Sequence, residues 1–259
     1  PFVLMMLWLV GGLTALCGAL TYAELGANLP RSGGEYNFLS RLYHPCAGFI
    51  SGWVSATVGF AAPVALAAMT FAAYLSAVFP ELNRTWAAVS LVLILTLAHC
   101  LSRRASSSVQ QIFTALKLLL ILLFCAVILI WGNSPQSLNF APQAGDGQLL
   151  FSGAFAVALI YVNYAYTGWN AATYVTGELE NPQRNLPVVL AVGTALVLLL
   201  YLLLNYTFLS AAPISSMEGK LEIGVVVAEA ALGGSAGKVM GAVLAVLLIS
   251  TVSAMTMAG

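Results

Sequence analysis

Between Pro1 and Ala23 the chain carries no charged residue, and from Leu42 to Pro80 it carries none for 39 residues. A helix that crosses a bilayer needs about 20 consecutive apolar residues. Seven runs have this character, at 1–23, 51–79, 85–101, 109–131, 149–176, 186–210 and 239–258, and Lys117 is the only charge inside them. Strands cannot satisfy their backbone singly in hydrocarbon, and the runs are too long for barrel strands, so the expected elements are helices. Each is too apolar around its whole circumference to be a soluble amphipathic helix. Residues 1–23 exceed a signal-peptide core and have no basic flank, so they read as a span and not as a targeting segment. The expectation is an all-α transmembrane protein, with 1–259 as a single transmembrane domain. Residues 42–50 are long enough for a re-entrant or amphipathic lead-in to the second span.

Composition removes the other classes. The chain is 61% hydrophobic and 7% charged, with nine basic and nine acidic residues. Soluble domains carry about 25% charge, and disorder needs low hydropathy, against a mean hydropathy here of +0.95. No basic run points to nucleic acid. Cys17, Cys100 and Cys125 sit in apolar runs, Cys46 follows a turn signal, and no C-x-x-C or zinc spacing occurs. His44 and His99 have no clustered carboxylates, and no phosphate-binding fingerprint is present. The chain therefore reads as a non-enzyme without cofactor or metal, whose first partner is the lipid bilayer.

Loop charges orient the spans. Arg31, Arg41, Arg103, Arg104 and Arg184 fall on one side; Arg84, Lys220 and Lys238 fall on the other. The positive-inside rule makes the five-residue side cytoplasmic and puts Pro1 outside. A start outside without a methionine leads to the expectation of a missing first helix, and the end directly after a span suggests a missing continuation. The segment at 221–233, LEIGVVVAEAALG, reads as a short helix over the outer face, either a lid or an inert surface helix.

Three places carry polarity that costs energy in lipid. Lys117 lies 13 residues past Arg104, which is ~20 Å along a helix. Its stem permits snorkelling to the interface; alternatively its ammonium faces the bundle interior, where it takes the place of a bound cation or gives up its proton. The fifth run holds Asn163, Tyr164, Tyr166, Thr167, Gly168, Trp169 and Asn170 at its centre. Interrupted backbone at such depth is tolerated only against protein or a wet cavity. Thr167-Gly168 is therefore a candidate break whose freed peptide groups point into a binding site; the competing reading is close helix packing by small residues. Third are two stretches read as turns, 24–41 with Pro30 and Gly33-Gly34, and 178–187, where Pro182 stops one helix and Pro187 sits near the start of the next. These turns carry solvated charges, or form inner-gate ion pairs whose partners the sequence does not name.

ALTYAELGANLPRSGGEYNFL at 19–39, GFISGWVS at 48–55, SVQQIFTALKLLL at 108–120 and YAYTGWNAATYVTGELENPQRNLP at 164–187 together resemble the amino acid–polyamine–organocation (APC) superfamily of permeases, in its L-type amino acid transporter branch and bacterial relatives. The resemblance implies a partial LeuT-type inverted-repeat fold, in which the seven spans are similar to the family's second to eighth helices. It implies sodium-independent exchange or proton-coupled transport of amino acids, in a bacterial inner membrane. By the same resemblance Tyr164 is an aromatic gate over the substrate. Ala165, Tyr166 and Thr167 supply unwound backbone for the substrate ammonium, Gly168 is the glycine of the break, and Asn170 lies near the bound amino acid. Lys117 is the lysine that stands where sodium-coupled relatives hold an ion, and Ser250, Thr251 and Ser253 lie on the helix segment that faces it. Tyr164 stands where many L-type members have Phe and Thr167 where they have Gly, so both narrow the pocket. The loop PELNRT at 80–85 has no cysteine, so no disulfide-linked heavy chain is expected. The rivals are a seven-helix receptor, disfavoured because 239–259 holds no lysine, and a structural membrane protein, which needs neither the fifth-run cluster nor a buried lysine.

Overall fold

The structure is a computed structural model and describes residues 1–101, 103–132, 136–220 and 222–258. Among them there is no strand; the protein is all-α. Its helices are α1 (Phe2–Asn28), α2 (Gly34–Leu42), α3 (Pro45–Val54), α4 (Ala61–Val78), α5 (Arg84–Leu101), α6 (Arg103–Trp131), α7 (Asp146–Leu150), α8 (Gly153–Tyr166), α9 (Pro182–Ala211), α10 (Ile214–Met217), α11 (Ile223–Leu232) and α12 (Gly234–Ala258). A π-helical segment, Ser55–Phe60, joins α3 to α4, and a 3-10 helix, Trp169–Glu178, follows α8. Five helical stretches among the described residues are long and apolar enough to cross a membrane: Phe2–Asn28, Pro45–Ser76, Gln111–Trp131, Pro182–Ala211 and Gly234–Thr256. Arg84–Cys100 is apolar but shorter. Arg103 and Arg104, counted in the loop charges, have side chains outside the described set.

Several boundaries differ from the sequence reading. The second run has no separate lead-in, because α3 passes through the π segment into α4. The widened turns end just before Pro63, whose ring crowds the carbonyl four residues back. Residues 24–41 are not one turn: α1 continues to Asn28, and a nine-residue helix, α2, begins at Gly34. Pro182 does not stop a helix but opens α9, at the first position, where its missing N–H costs nothing. The fifth run is not one helix but α7, α8 and the 3-10 helix. Ser152 divides the first two: its Oγ accepts from the Phe155 amide at 3.2 Å and caps α8.

The chain forms two packed units. One contains residues 1–53 and 138–206, the other 54–137 and 207–259. In the first, α1 buries Leu7, Gly11, Ala15, Ala19 and Ala23 along a single stripe four residues apart. Small residues on that stripe let backbones approach closely. A Cβ on Gly12 would come within 2.2 Å of the Leu198 Cδ1 and 2.8 Å of the Tyr166 hydroxyl. One cluster joins Leu7 and Ala15 to Val162, Tyr166 and Leu198; another joins Ala19 and Ala23 to Leu186 and Leu190. In the second unit, Ala67, Ala68 and Ala72 of α4 pack with Ala88 and Leu91 of α5 and Val252 of α12. The segment at 221–233 forms α11, whose Val227 and Ala231 are buried with Ile128, Ala211 and Ala212; Leu221 lies outside the described residues. Asn83 caps α5, its Oδ1 accepting from the Thr85 and Trp86 amides at 3.0 and 3.2 Å.

Candidate functional site

In the first unit the apolar helix α8 ends abruptly. Thr167 is extended (φ −61°, ψ 155°) and Gly168 has φ +105°, so no helical ladder passes through the pair. The Thr167 amide and hydroxyl both donate to the Tyr164 carbonyl, at 3.1 and 2.6 Å. The Ala171 amide donates to Gly168 and not, as an α-helix requires, to Thr167. The chain resumes as a 3-10 helix, whose tighter winding points its side chains differently from a continued α-helix. This is the interruption that the Thr167-Gly168 pair suggested, and Gly168 is the residue type that reaches such a φ without a Cβ penalty.

Around the break stands an aromatic cage. Tyr166 is buried and its hydroxyl donates to the Trp8 carbonyl at 3.0 Å. Tyr201 packs edge-on against Trp8 and Tyr166, with centroids 5.1 and 4.9 Å away. Its hydroxyl donates to the Ala165 carbonyl at 2.8 Å. Trp169 meets Tyr22 edge-on at 5.0 Å. Tyr164 is half exposed. Asn170 reaches α2, where its amide donates to the Glu35 Oε1 at 2.6 Å. Of the residues singled out here, Tyr164 to Gly168 share the break, the Ala165 carbonyl is already taken by Tyr201, and Asn170 is held by α2. Glu35, Tyr174, Tyr201 and Trp8 were not read from the sequence. The only signal was chemical: Glu35 is an acid within a Gly-Gly turn, and tyrosines stand in otherwise apolar runs.

In the second unit, Lys117 lies on an unbroken stretch of α6 and is partly buried. Its ammonium donates to the Thr251 hydroxyl of α12 at 3.0 Å. It reaches a protein partner on another helix of the same unit. Ser253, buried, exchanges a hydrogen bond with the His99 Nε2 at 3.1 Å. Ser250 is fully buried, and its hydroxyl has no partner among the described residues. The three α12 hydroxyls therefore have different surroundings, and only Thr251 is bonded to the lysine. A groove of about 670 Å³ between α4 and α5 is lined in part by Arg84 and contains none of the candidate substrate or coupling residues. Among the described residues no cluster of His, Cys, Asp or Glu could hold a metal ion.

A family profile described as amino acid permease matches residues 2–259. The chain is 34% identical over 213 residues to the human b(0,+)-type amino acid transporter 1, covering 79% of this chain and 43% of that protein. It is 34% identical over 237 residues to the rabbit large neutral amino acids transporter small subunit 2, covering 88% of this chain and 44% of that protein. The mouse b(0,+)-type amino acid transporter 1 is 32% identical over 210 residues, with 79% and 43% covered. The chain thus spans less than half the length of these curated relatives. All three are mammalian, so they lend no support to a bacterial inner membrane.

Proposed function

The chain belongs to the amino acid permease family, within the APC superfamily, and from that premise we propose that it serves secondary active transport of amino acids by alternating access. It is a multi-pass integral membrane protein. The observation that carries the reading is the break at Thr167–Gly168. It interrupts an apolar helix beside an aromatic cage and frees peptide groups from the helical ladder. A zwitterionic amino acid needs acceptors for its ammonium and donors for its carboxylate, and half-helix ends provide them in an apolar surrounding. In this reading the Ala165, Tyr166 and Thr167 backbone takes the ammonium. Tyr164 closes over the substrate, and Asn170 lies near it.

Lys117 is proposed to occupy the place of a coupling cation, its charge directed at α12 through Thr251. Transport is then sodium-independent exchange or proton-coupled uptake, with Ser250 and Ser253 as further members of that site. The small-subunit name of one relative speaks of assembly with another chain; the loop at 80–85 contains no cysteine for a disulfide to such a partner. The inverted repeat of a LeuT-type fold belongs to the same proposal.

The test is uptake of labelled amino acids by the full-length protein in proteoliposomes, with and without sodium. Saturable uptake without sodium is expected, and Lys117→Ala should lose it. A folded protein that moves none of the twenty amino acids would overturn the transport reading. Normal uptake by Lys117→Ala would remove the coupling role alone.

A further inference from the structure

The 3-10 helix after the break does not end in open space. It is fastened to the α1–α2 turn by four hydrogen bonds spanning 135 residues or more of sequence. The Gly177 amide donates to the Ser32 Oγ at 2.8 Å, and the Gly33 amide donates to the Tyr174 carbonyl at 3.3 Å. The Asn170 amide donates to one oxygen of Glu35 at 2.6 Å, and the Tyr174 hydroxyl donates to the other. Tyr22 of α1 stands beside the same carboxylate. A Cβ on Gly34 would lie 3.1 Å from the Tyr174 ring, so the two segments touch closely. One carboxylate thus gathers donors from the segment following Gly168, and hydrogen bonds to a carboxylate are the strong members of such a set.

We propose that Glu35 is a latch: by holding Asn170 and Tyr174 it keeps the half-helix after the break docked on the α1–α2 turn, and its release is the step that frees that half-helix to move. This rests on the transport reading, since the segment held is the one next to the proposed substrate. Glu35 is a positioning residue and touches no substrate. Its partners here are an amide and phenols. They carry no net charge, so the carboxylate can be given up without stranding a buried counter-charge. By the loop-charge reading the turn lies on the side of Arg31, Arg41 and Arg184, and that is the side the latch closes.

The test is hydrogen–deuterium exchange of the full-length protein in lipid nanodiscs, paired with transport measured from each face of oriented proteoliposomes. In Glu35→Ala, amides of 169–178 should exchange about tenfold faster or more, the scale of losing charge-assisted bonds. Amides of 190–200 in α9 should be unchanged. Glu35→Gln, with one acceptor oxygen left, should lie between. Tyr174→Phe, which removes one donor, should give a smaller rise confined to the same segment and stands in if Glu35→Ala does not fold. A shifted equilibrium also makes the half-saturating amino acid concentration fall on the Arg31 face and rise on the other. A merely structural role would lower the maximal rate and move neither. Unchanged exchange at 169–178, or an equal rise through α8 and α9, overturns the latch. If the unmodified protein transports no amino acid, the transport reading fails, and the exchange data alone decide the latch.

Discussion

From Gly153 to Glu178 polar groups enter an apolar stretch because the backbone itself stops being an α-helix, whereas along α6 and α12 the backbone stays regular and side chains supply the polarity. The first arrangement needs one residue with a positive φ, Gly168, and aromatic walls around it. The second needs matched pairs distant in sequence, Lys117 with Thr251 and His99 with Ser253. Dipoles released by a break are weak and numerous, which suits a zwitterion that must bind and leave. A fixed ammonium is a full charge that stays with the protein, which suits a site standing in for an ion. The two regions therefore differ in how they fail: one through conformation, the other through charge.

The sharpest way to break this contrast is Gly168→Val. At φ +105° a β-branched residue is a genuine outlier. A Cβ there meets no atom within 4 Å, so crowding contributes nothing and only backbone strain remains. Strain of about 1–3 kcal/mol is expected, relieved by rewinding the segment towards a continuous helix. Uptake by the full-length protein should fall by a factor of about 5–150, the rate equivalent of that strain, and uptake by Gly168→Ala should fall less. Transport unaffected by valine would mean that the break has no part in function.

The apolar runs were legible because lipid demands length and hydrophobicity whatever the neighbours do, and most helices overlap the runs drawn from them. The break was legible because Thr167-Gly168 sits among polar and aromatic residues where nothing else explains them. Partners were not. Glu35 meets Asn170 and Tyr174 across 135 and 139 residues, and no local pattern announces such a pairing. The helix α2 was missed because a nine-residue polar segment after Gly33-Gly34 has the composition of a loop; its stability comes from burying Asn37 and Phe38. The Asn37 amide also donates to the Leu29 and Arg31 carbonyls, at 3.3 Å each. Pro182 was misread because proline is compatible with both a stop and a start, and only the chain beyond it decides.

Lys117→Met sharpens the other half of the comparison. Methionine keeps an unbranched side chain of similar length while removing the charge. The Thr251 hydroxyl retains a carbonyl partner, the Leu247 oxygen at 3.4 Å, so no hydroxyl is stranded. The partner is a neutral hydroxyl, so removing the ammonium leaves no opposite charge unpaired. The expected result is thermal unfolding at or above the temperature of the unmodified protein, with uptake reduced by about tenfold, the scale of one charge-assisted bond. Loss of both stability and uptake would make the lysine a structural member of α6 and α12 and not a coupling group.

The smallest effect tests which region owns the substrate. Tyr201→Phe removes only the hydroxyl that donates to the Ala165 carbonyl at 2.8 Å. The edge-on contacts with Trp8 and Tyr166 remain, because they belong to the ring. Losing one neutral hydrogen bond costs about 0.5–1.5 kcal/mol of stability. The freed carbonyl is one of those proposed to take the substrate ammonium, and Tyr201 is its competitor. Stability and affinity should therefore move in opposite directions: the protein melts earlier while the half-saturating amino acid concentration falls by about two- to tenfold, the same free energy turned to binding. If melting falls and half-saturation stays put, the Ala165 carbonyl belongs to the helix end alone, and the ammonium site must be sought at Tyr166 and Thr167.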